Sequence, residues 1–350
     1  MTRKLRRDSE TPAPDRADGP SRRATILDVA RAAAVSPATV SRVLTGRKPV
    51  SGELSQRVRR AASGLRYHPN PAAQVLLRGK HDTIGVVVPD LANPFFSEVL
   101  KGVTAGAASE DRQVLVVDSN EDPLEEHRGA MRLARWVDGL VLCSPRMPAA
   151  LLKEVADTGT PLVVVNRGTR DPRIDRVLVD YHGGMRDLCD HLIALGHERV
   201  AYLEGPVDAW SEQQRQRALR AAGKRGLQVL GIPCGSGMAD GYQATETALE
   251  TQPTAVMAFS DYVALGALTR LAELGVSVPG EISLTGFDDI PFAALAGPGL
   301  TTATVRKAQI GDLGWRQLHE RLEDHRKPGT VTVPSHLVVR GTTGWSRPSA

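Results

Sequence analysis

The chain has 350 residues, 41% of them hydrophobic, which suits two or three globular units with sizeable cores. It contains no apolar run near the roughly 18 residues that a membrane helix needs, and its start, MTRKLRRDSETPAPDRADGPSRR, lacks the apolar stretch of a secretory signal. The net charge of +4 conceals a split: residues 1–80 hold 17 Lys and Arg against 6 Asp and Glu, whereas residues 81–350 hold 27 against 34. A basic first quarter on an acidic body points to one polyanion-binding segment rather than a generally adhesive surface.

Residues 1–24 have the composition of a disordered basic arm. Then comes TILDVARAAAVSPATVSRVL, residues 25–44. Thr25 is placed to cap a helix with Asp28 returning to the cap's amide, and Leu27, Ala30 and Ala34 recur at helical spacing. Ser36 and Pro37 stop that helix and start another, Ser36 as cap and Pro37 at the first helical position, where its missing N–H costs nothing. The second helix turns Val40, Val43 and Leu44 inward and leaves Pro37, Ala38, Ser41 and Arg42 outside. Two short helices on a tight turn read as a DNA-binding helix-turn-helix, with a plain helical hairpin as the rival. A third helix follows, capped by Ser51, with Leu54, Val58, Ala61 or Ala62, and Leu65 on one face.

The YHPNP sequence at 67–71 breaks that pattern, and AAQVLLRGK follows. It has room for two helical turns, marginal alone in water, and Leu76 and Leu77 have no evident core to join. From residue 84 the texture is alternating β and α: IGVVVP (84–89), VLVVD (114–118), GLVLC (139–143), PLVVVN (161–166), RVAYLEG (199–205), AVMAFSD (255–261) and SLTGFDD (283–289). Helices are expected over 95–110, 183–195 and 262–274. This is a parallel, doubly wound pattern, too long for one sheet, and it restarts after residue 180, so two similar subdomains are expected. Ligands in such folds bind beyond the carboxyl ends of the strands. That rule marks residues 90–96, 118–122, 166–167, 205–215 and 261 for inspection.

The cysteines Cys143, Cys189 and Cys234 form no CxxC and cannot all pair, which fits buried thiols in a reducing cytoplasm. Asp118, Asn120 and Asp122 imitate the start of an EF-hand loop, but Pro123 replaces its glycine and Gly129 its bidentate glutamate. His197-Glu198-Arg199 lacks the second histidine of HExxH, and Gly235, Gly237 and Gly241 miss the GxGxxG spacing. No catalytic constellation, cofactor or metal is expected.

Five segments in order, TILDVARAAAVSPATVSRVL, YHPNPAAQVLL, VPDLANPFF, HLIALGHERVAYLEG, and SDYVALGAL with LGVSVPGEISLTGFDDIPFA, resemble the LacI/GalR family of bacterial transcriptional regulators, and the similarity runs over about 25–343. The resemblance implies a helix-turn-helix headpiece at 25–70 and a hinge helix at 71–80. It further implies a core at 81–345 shaped like a periplasmic sugar-binding protein, with subdomains of about 82–180 plus 303–332 and 181–302 plus 333–345. It implies a homodimer on a palindromic operator, acting in the cytoplasm on the nucleoid. Pro37, Ala38 and Arg42 take the base-facing positions. Thr25, Ser36, Thr39, Ser41 and Ser51 take phosphate-contacting or capping ones. Leu76 aligns with a minor-groove wedge, packing on the core being its alternative. In the core, Asn93, Phe95 and Phe96 resemble the rim of an effector cleft, with Arg215 and Asp261 as its arginine and facing carboxylate. Trp210 offers a platform for a sugar ring, and Arg167 either joins the cleft or forms a surface ion pair. The register near Arg215 departs from the family, which usually continues with a Gly-aromatic pair where this chain has Ala218-Leu219, and Asn166 replaces a frequent aspartate. A sugar-responsive repressor is therefore expected, and the rivals are an enzyme on a doubly wound fold and a secreted solute-binding protein.

Overall fold

A computed structural model describes residues 24–45, 50–67, 81–324 and 326–346, which belong to two compact units meeting in sequence at Gly79 and Lys80. The expected arm up to residue 23 and the expected hinge helix at 71–80, with Leu76, lie outside the described residues.

The first unit contains α1 (Ile26–Ala32), α2 (Pro37–Thr45) and α3 (Gly52–Gly64). Thr25 and Asp28 form a reciprocal capping box, Thr25 N donating to Asp28 Oδ2 at 2.8 Å. Val29, Ala30, Ala33, Val40, Val43, Val58 and Ala62 make its core. Of the expected stripe Leu27–Ala30–Ala34, Ala30 is buried as expected, and Val29 and Ala33 complete the buried face. Leu27 is 58% exposed, and Ala34 has already left the helix in a left-handed conformation (φ 49°) that turns the chain toward α2. Leu65 likewise lies outside the core, because α3 ends at Gly64.

The second unit holds two parallel sheets. The first has the order β11-β5-β4-β3-β1-β2, from β1 (Thr83–Val88), β2 (Gln113–Asp118), β3 (Gly139–Cys143), β4 (Leu162–Val165), β5 (Asp175–Val179) and β11 (Thr330–Val333). Its helices are α4 (Pro94–Ser109), α5 (Pro123–Leu133), α6 (Ala149–Asp157) and α12 (Lys307–Glu323). The second sheet has the order β7-β6-β8-β9, from β6 (Arg199–Glu204), β7 (Gln228–Pro233), β8 (Ala255–Ala258) and β9 (Ser283–Thr285). With it go α7 (Tyr181–Ala194), α8 (Trp210–Gly223), α9 (Met238–Glu250), α10 (Asp261–Glu273), α11 (Pro291–Leu295) and the antiparallel pair β10 (Thr302–Thr304) and β12 (His336–Val338). Strands β1, β3, β4 and β8 are apolar and buried almost throughout, as parallel strands covered on both faces must be.

The chain crosses between subdomains three times: near residue 180, at 305–306 and at 334–335. Bridges Thr285–Thr301 and Asp288–Thr304 join β10 to the second sheet, so the second crossing falls just after residue 304. The first and third crossings are tied together, Asp180 N donating to Val333 O at 2.9 Å and Ser335 Oγ to Asp180 O at 2.6 Å.

Helices α4 and α12 touch backbone to backbone. A Cβ on Gly102 would lie 2.2 Å from the Ala308 oxygen, and one on Gly311 would lie 2.0 Å from the Val99 oxygen. Neither obstacle is a flexible side chain, so the helices would have to part. Gly102→Ala is therefore expected to destabilise the core by about 1–3 kcal/mol despite alanine's better helix propensity. The denaturant midpoint of the core transition measures it, and an unchanged or raised midpoint contradicts the tight crossing.

Candidate functional site

In the helix-turn-helix, Ser36 caps α2, its hydroxyl accepting from Thr39 N at 3.2 Å and lying 2.9 Å from Thr39 Oγ1. Pro37, Ala38 and Arg42 are exposed together on the outer face of α2, and Ser41 is half-buried beside them. Arg42 Nε donates to Ala38 O at 3.2 Å, which lays the guanidinium along its own helix. Thr25 Oγ1 is engaged with Asp28 at 2.7 Å. Ser51 begins α3 but its hydroxyl makes no capping bond, so the expected side-chain cap is not formed there.

The second feature is a cleft between the two core subdomains, built from loops at the carboxyl ends of strands in both sheets. Asn93, Phe95 and Phe96 line it from the start of α4, where Asn93 Oδ1 accepts from Phe95 N at 3.0 Å and the two phenyl rings meet edge-on at 5.2 Å. Glu121 follows β2, Ser144 and Arg146 follow β3, and Ser236 follows β7. Tyr181, Ser211, Arg215, Phe259, Ser260 and Asp288 also line it, beside Ala209.

Arg215 is the most buried charged residue of the cleft wall, 1% exposed. Its guanidinium carbon lies 4.3 Å from the centroid of Tyr181, 4.4 Å from that of Phe259 and 4.3 Å from that of Phe287, a cage that favours a cation through the ring quadrupoles. One nitrogen is 3.8 Å from Asp288 Oδ1, while Nε and Nη1 have no hydrogen-bond partner. Unpaired buried donors are costly, so this arrangement suits a ligand bringing acceptors. Burial pushes the Asp288 carboxyl up to about 6, against the pull of Arg215 and Lys307. Asp288 and Asp289 have φ of 104° and 54°, a strained turn held by Lys307, whose Nζ donates to Asp288 O at 2.8 Å and Asp289 O at 2.7 Å.

Asp261, expected to face Arg215, does not line the cleft. It is fully buried, accepting from Thr302 Oγ1 at 2.6 Å and from Ile290 N at 2.8 Å, and burial raises its pKa well above the usual carboxylate range. Its carboxylate is turned to the segment after β9, so it supports the turn that presents Asp288. Trp210 is also off the cleft wall: it packs edge-on to Tyr181 with centroids 6.2 Å apart, and against Gly168, where a Cβ would meet its Nε1 at 2.7 Å. Arg167 stands behind the wall and donates to Pro145 O at 2.7 Å.

The opposite pole joins the subdomains. Arg146 donates to one Glu121 oxygen at 2.8 Å, and Ser236, from the second subdomain, donates to the other. Arg146 Nε is buried without a partner. Both arginines of the cleft thus face a carboxylate of this chain, and its charge is balanced. Beneath, the Glu126 carboxylate accepts from Arg146 N and Met147 N at 2.9 Å each, fixing the loop after β3.

Asp288, Arg146, Ser144, Ser236, Tyr181 and Phe259 escaped the sequence reading, although most follow the carboxyl end of a strand, and Asp288 stands inside the strand segment SLTGFDD. The EF-hand look-alike is spent on backbone: Asp118 accepts from Leu91 N and Asn120 N at 3.0 Å each, and Asp122 caps α5. Among the described residues no cluster could hold a metal. Burial pushes the thiols of Cys143, Cys189 and Cys234 up to about 12 each.

Burial pushes Glu126 up to about 7 from 4.5, outweighing its backbone donors and nearby arginines. Between those values the folded chain binds more protons than the unfolded one, so stability falls as pH rises through that window. Glu126→Gln is expected to flatten this slope without removing it, since Asp288 contributes in the same direction. Denaturant midpoints at about pH 5 and about pH 8 read the difference. A variant slope as steep as that of the wild type counts against the buried, protonated carboxyl.

Residues 25–70 match the family described as "Bacterial regulatory proteins, lacI family", and residues 189–343 match the "Periplasmic binding protein-like domain". The transcriptional repressor CytR of Escherichia coli strain K12 is 30% identical over 328 residues, which is 91% of this chain and 96% of the relative. The ribose operon repressor of Halalkalibacterium halodurans is 30% identical over 326 residues, covering 91% of this chain and 97% of the relative. Among solved structures, the lac repressor dimer bound to operator and the anti-inducer ONPF superposes with a TM-score of 0.82 at 27% identity, covering 92% of this chain and all of that one. A helix-turn-helix followed by two linked parallel-sheet subdomains is the architecture that this chain shares with them, and all three are transcriptional repressors rather than enzymes. The chain belongs to the LacI family of bacterial transcriptional regulators and works by binding DNA.

Proposed function

We propose that the chain is a cytoplasmic repressor that binds a palindromic operator on the nucleoid as a homodimer. Its operator affinity is set by a neutral, polyhydroxylated small molecule, a sugar or sugar derivative, held between the core subdomains. The observation that carries this reading is the balanced cleft. Arg215 keeps two unpaired donors beside Asp288, and Glu121 with Arg146 stands at the other pole. Donors and acceptors in alternation suit adjacent hydroxyls, and Phe95, Phe96, Tyr181 and Phe259 supply apolar faces for a ring. A phosphorylated ligand would need uncompensated positive charge, which the lining does not offer. The ribose operon repressor among the relatives supports the sugar class, and the lac repressor dimer supports the oligomer.

On DNA, Arg42 is the exposed side chain able to bond a guanine bidentately, while Pro37 and Ala38 offer only apolar contact, for instance to a thymine methyl. Thr25, Ser36, Thr39, Ser41 and Ser51 lie where phosphates would run. The remaining specificity then comes from half-site spacing and from the deformability of the operator centre, where Leu76 would wedge.

A thermal-shift screen of neutral sugars against sugar phosphates identifies the ligand, because binding stabilises the folded core by mass action. For the ligand so found, Arg215→Lys keeps the charge but loses the planar fork, and calorimetry is expected to show affinity weakened about tenfold or more. Wild-type affinity would remove Arg215 from the site, and stabilisation by phosphorylated sugars alone would overturn the neutral class.

A further inference from the structure

The cleft and residue 81, where the described part of the core begins, lie at opposite edges of the first sheet. Its strands are parallel, so their carboxyl ends face the cleft while β1, β2 and β3 begin together at the other edge, where residue 81 enters the core. At that edge His81 N donates to Asp138 Oδ1 at 2.7 Å. Arg112 donates through Nη1 to Asp138 Oδ2 at 3.0 Å and through Nη2 to Glu323 Oε1 at 2.7 Å. The side chains of Arg112 and Asp138 are 7% and 9% exposed, so this pair is shielded from solvent in a way that surface ion pairs are not.

Glu323 is the last residue of α12, and Lys307 is the first. Lys307 holds the strained turn that presents Asp288 to the cleft. The 17 residues between and including them span about 25 Å at 1.5 Å per residue. The backbone-to-backbone contact with α4 stiffens this rod, and α4 itself starts at the cleft with Asn93, Phe95 and Phe96.

We infer that Arg112, Asp138 and Glu323 are positioning residues for operator binding. They fasten the point at which the linker enters the core to the far end of the helix whose near end secures the cleft turn. The chain of contacts is continuous: Asp288 and Asp289 carbonyls, Lys307, α12, Glu323, Arg112, Asp138, His81. A shift of α12 along α4 therefore moves the anchor of the linker. The inference rests on the DNA-binding role of the family and does not depend on which ligand fills the cleft.

The test uses the full chain and a duplex that the wild type selects from random DNA, with affinities read by fluorescence anisotropy. Glu323→Gln and Asp138→Asn are each expected to weaken that duplex about fivefold or more, with the core melting transition unmoved for Glu323→Gln. Lys307→Met combined with Glu323→Gln is expected to depart from the product of the single effects by about threefold or more, because residues so far apart couple only if α12 carries the effect. Should Lys307→Met fail to fold by circular dichroism, Lys307→Gln, which also removes the cation, replaces it at the same end. Affinity of Glu323→Gln within about twofold of wild type, or effects that simply multiply in the double variant, would overturn the inference.

Discussion

The ammonium of Lys307 is the fastening on which both halves of the regulator's core depend. It is buried and donates to the carbonyls of Asp288 and Asp289 in a turn whose φ angles, 104° and 54°, are unfavourable for aspartate. Without that cation the two carbonyls would lose charge-assisted hydrogen bonds in a largely buried site, and the turn would relax toward ordinary backbone angles. Asp288 would then leave its place beside Arg215, and α12 would lose its tie to the second subdomain. One interaction thus sets both the geometry of the cleft and the position of a helix that runs the length of the first subdomain.

The rest of the cleft is organised around a cation that has been desolvated and only partly compensated. Arg215 is caged by three aromatic rings and has Asp288 at 3.8 Å, longer than a direct hydrogen bond. That combination keeps the guanidinium in one orientation while leaving Nε and Nη1 open, which under the proposed function pre-organises it for ligand acceptors. At the other pole, Glu121 bonds Arg146 in its own subdomain and Ser236 across the gap. Under the proposed function, a ligand that competes for Glu121 would change what holds the subdomains together.

Much of this was legible from sequence, and the failures have physical causes. The helix-turn-helix was plain because caps are local: Thr25 with Asp28, and Ser36 with Thr39, act over three residues. Strands β1, β3, β4 and β8 stood out because burial on both faces makes them continuously apolar. The strands left out are different in kind. Strand β7 is a mostly exposed edge containing Gly231 and Pro233, and β10 and β12 have three residues each. The family resemblance pointed to Arg215, which lies in the cleft wall, but Asp261 and Asp288 are both acidic residues just beyond strands. Only the fold shows that Asp261 is consumed by Thr302 and Ile290 N, leaving Asp288 to meet the arginine. The same holds for Arg112, Asp138 and Glu323, which are far apart in sequence and carry no local signature.

The proposed coupling between the cleft and the DNA has a reciprocal thermodynamic signature. With the ligand identified by core stabilisation and the duplex selected by the wild-type chain, operator affinity is measured in the absence and in saturating presence of that ligand. A change of about 5–150-fold is expected, matched by the same factor in ligand affinity when operator is bound. A ligand that stabilises the core yet leaves operator affinity unaltered would contradict it.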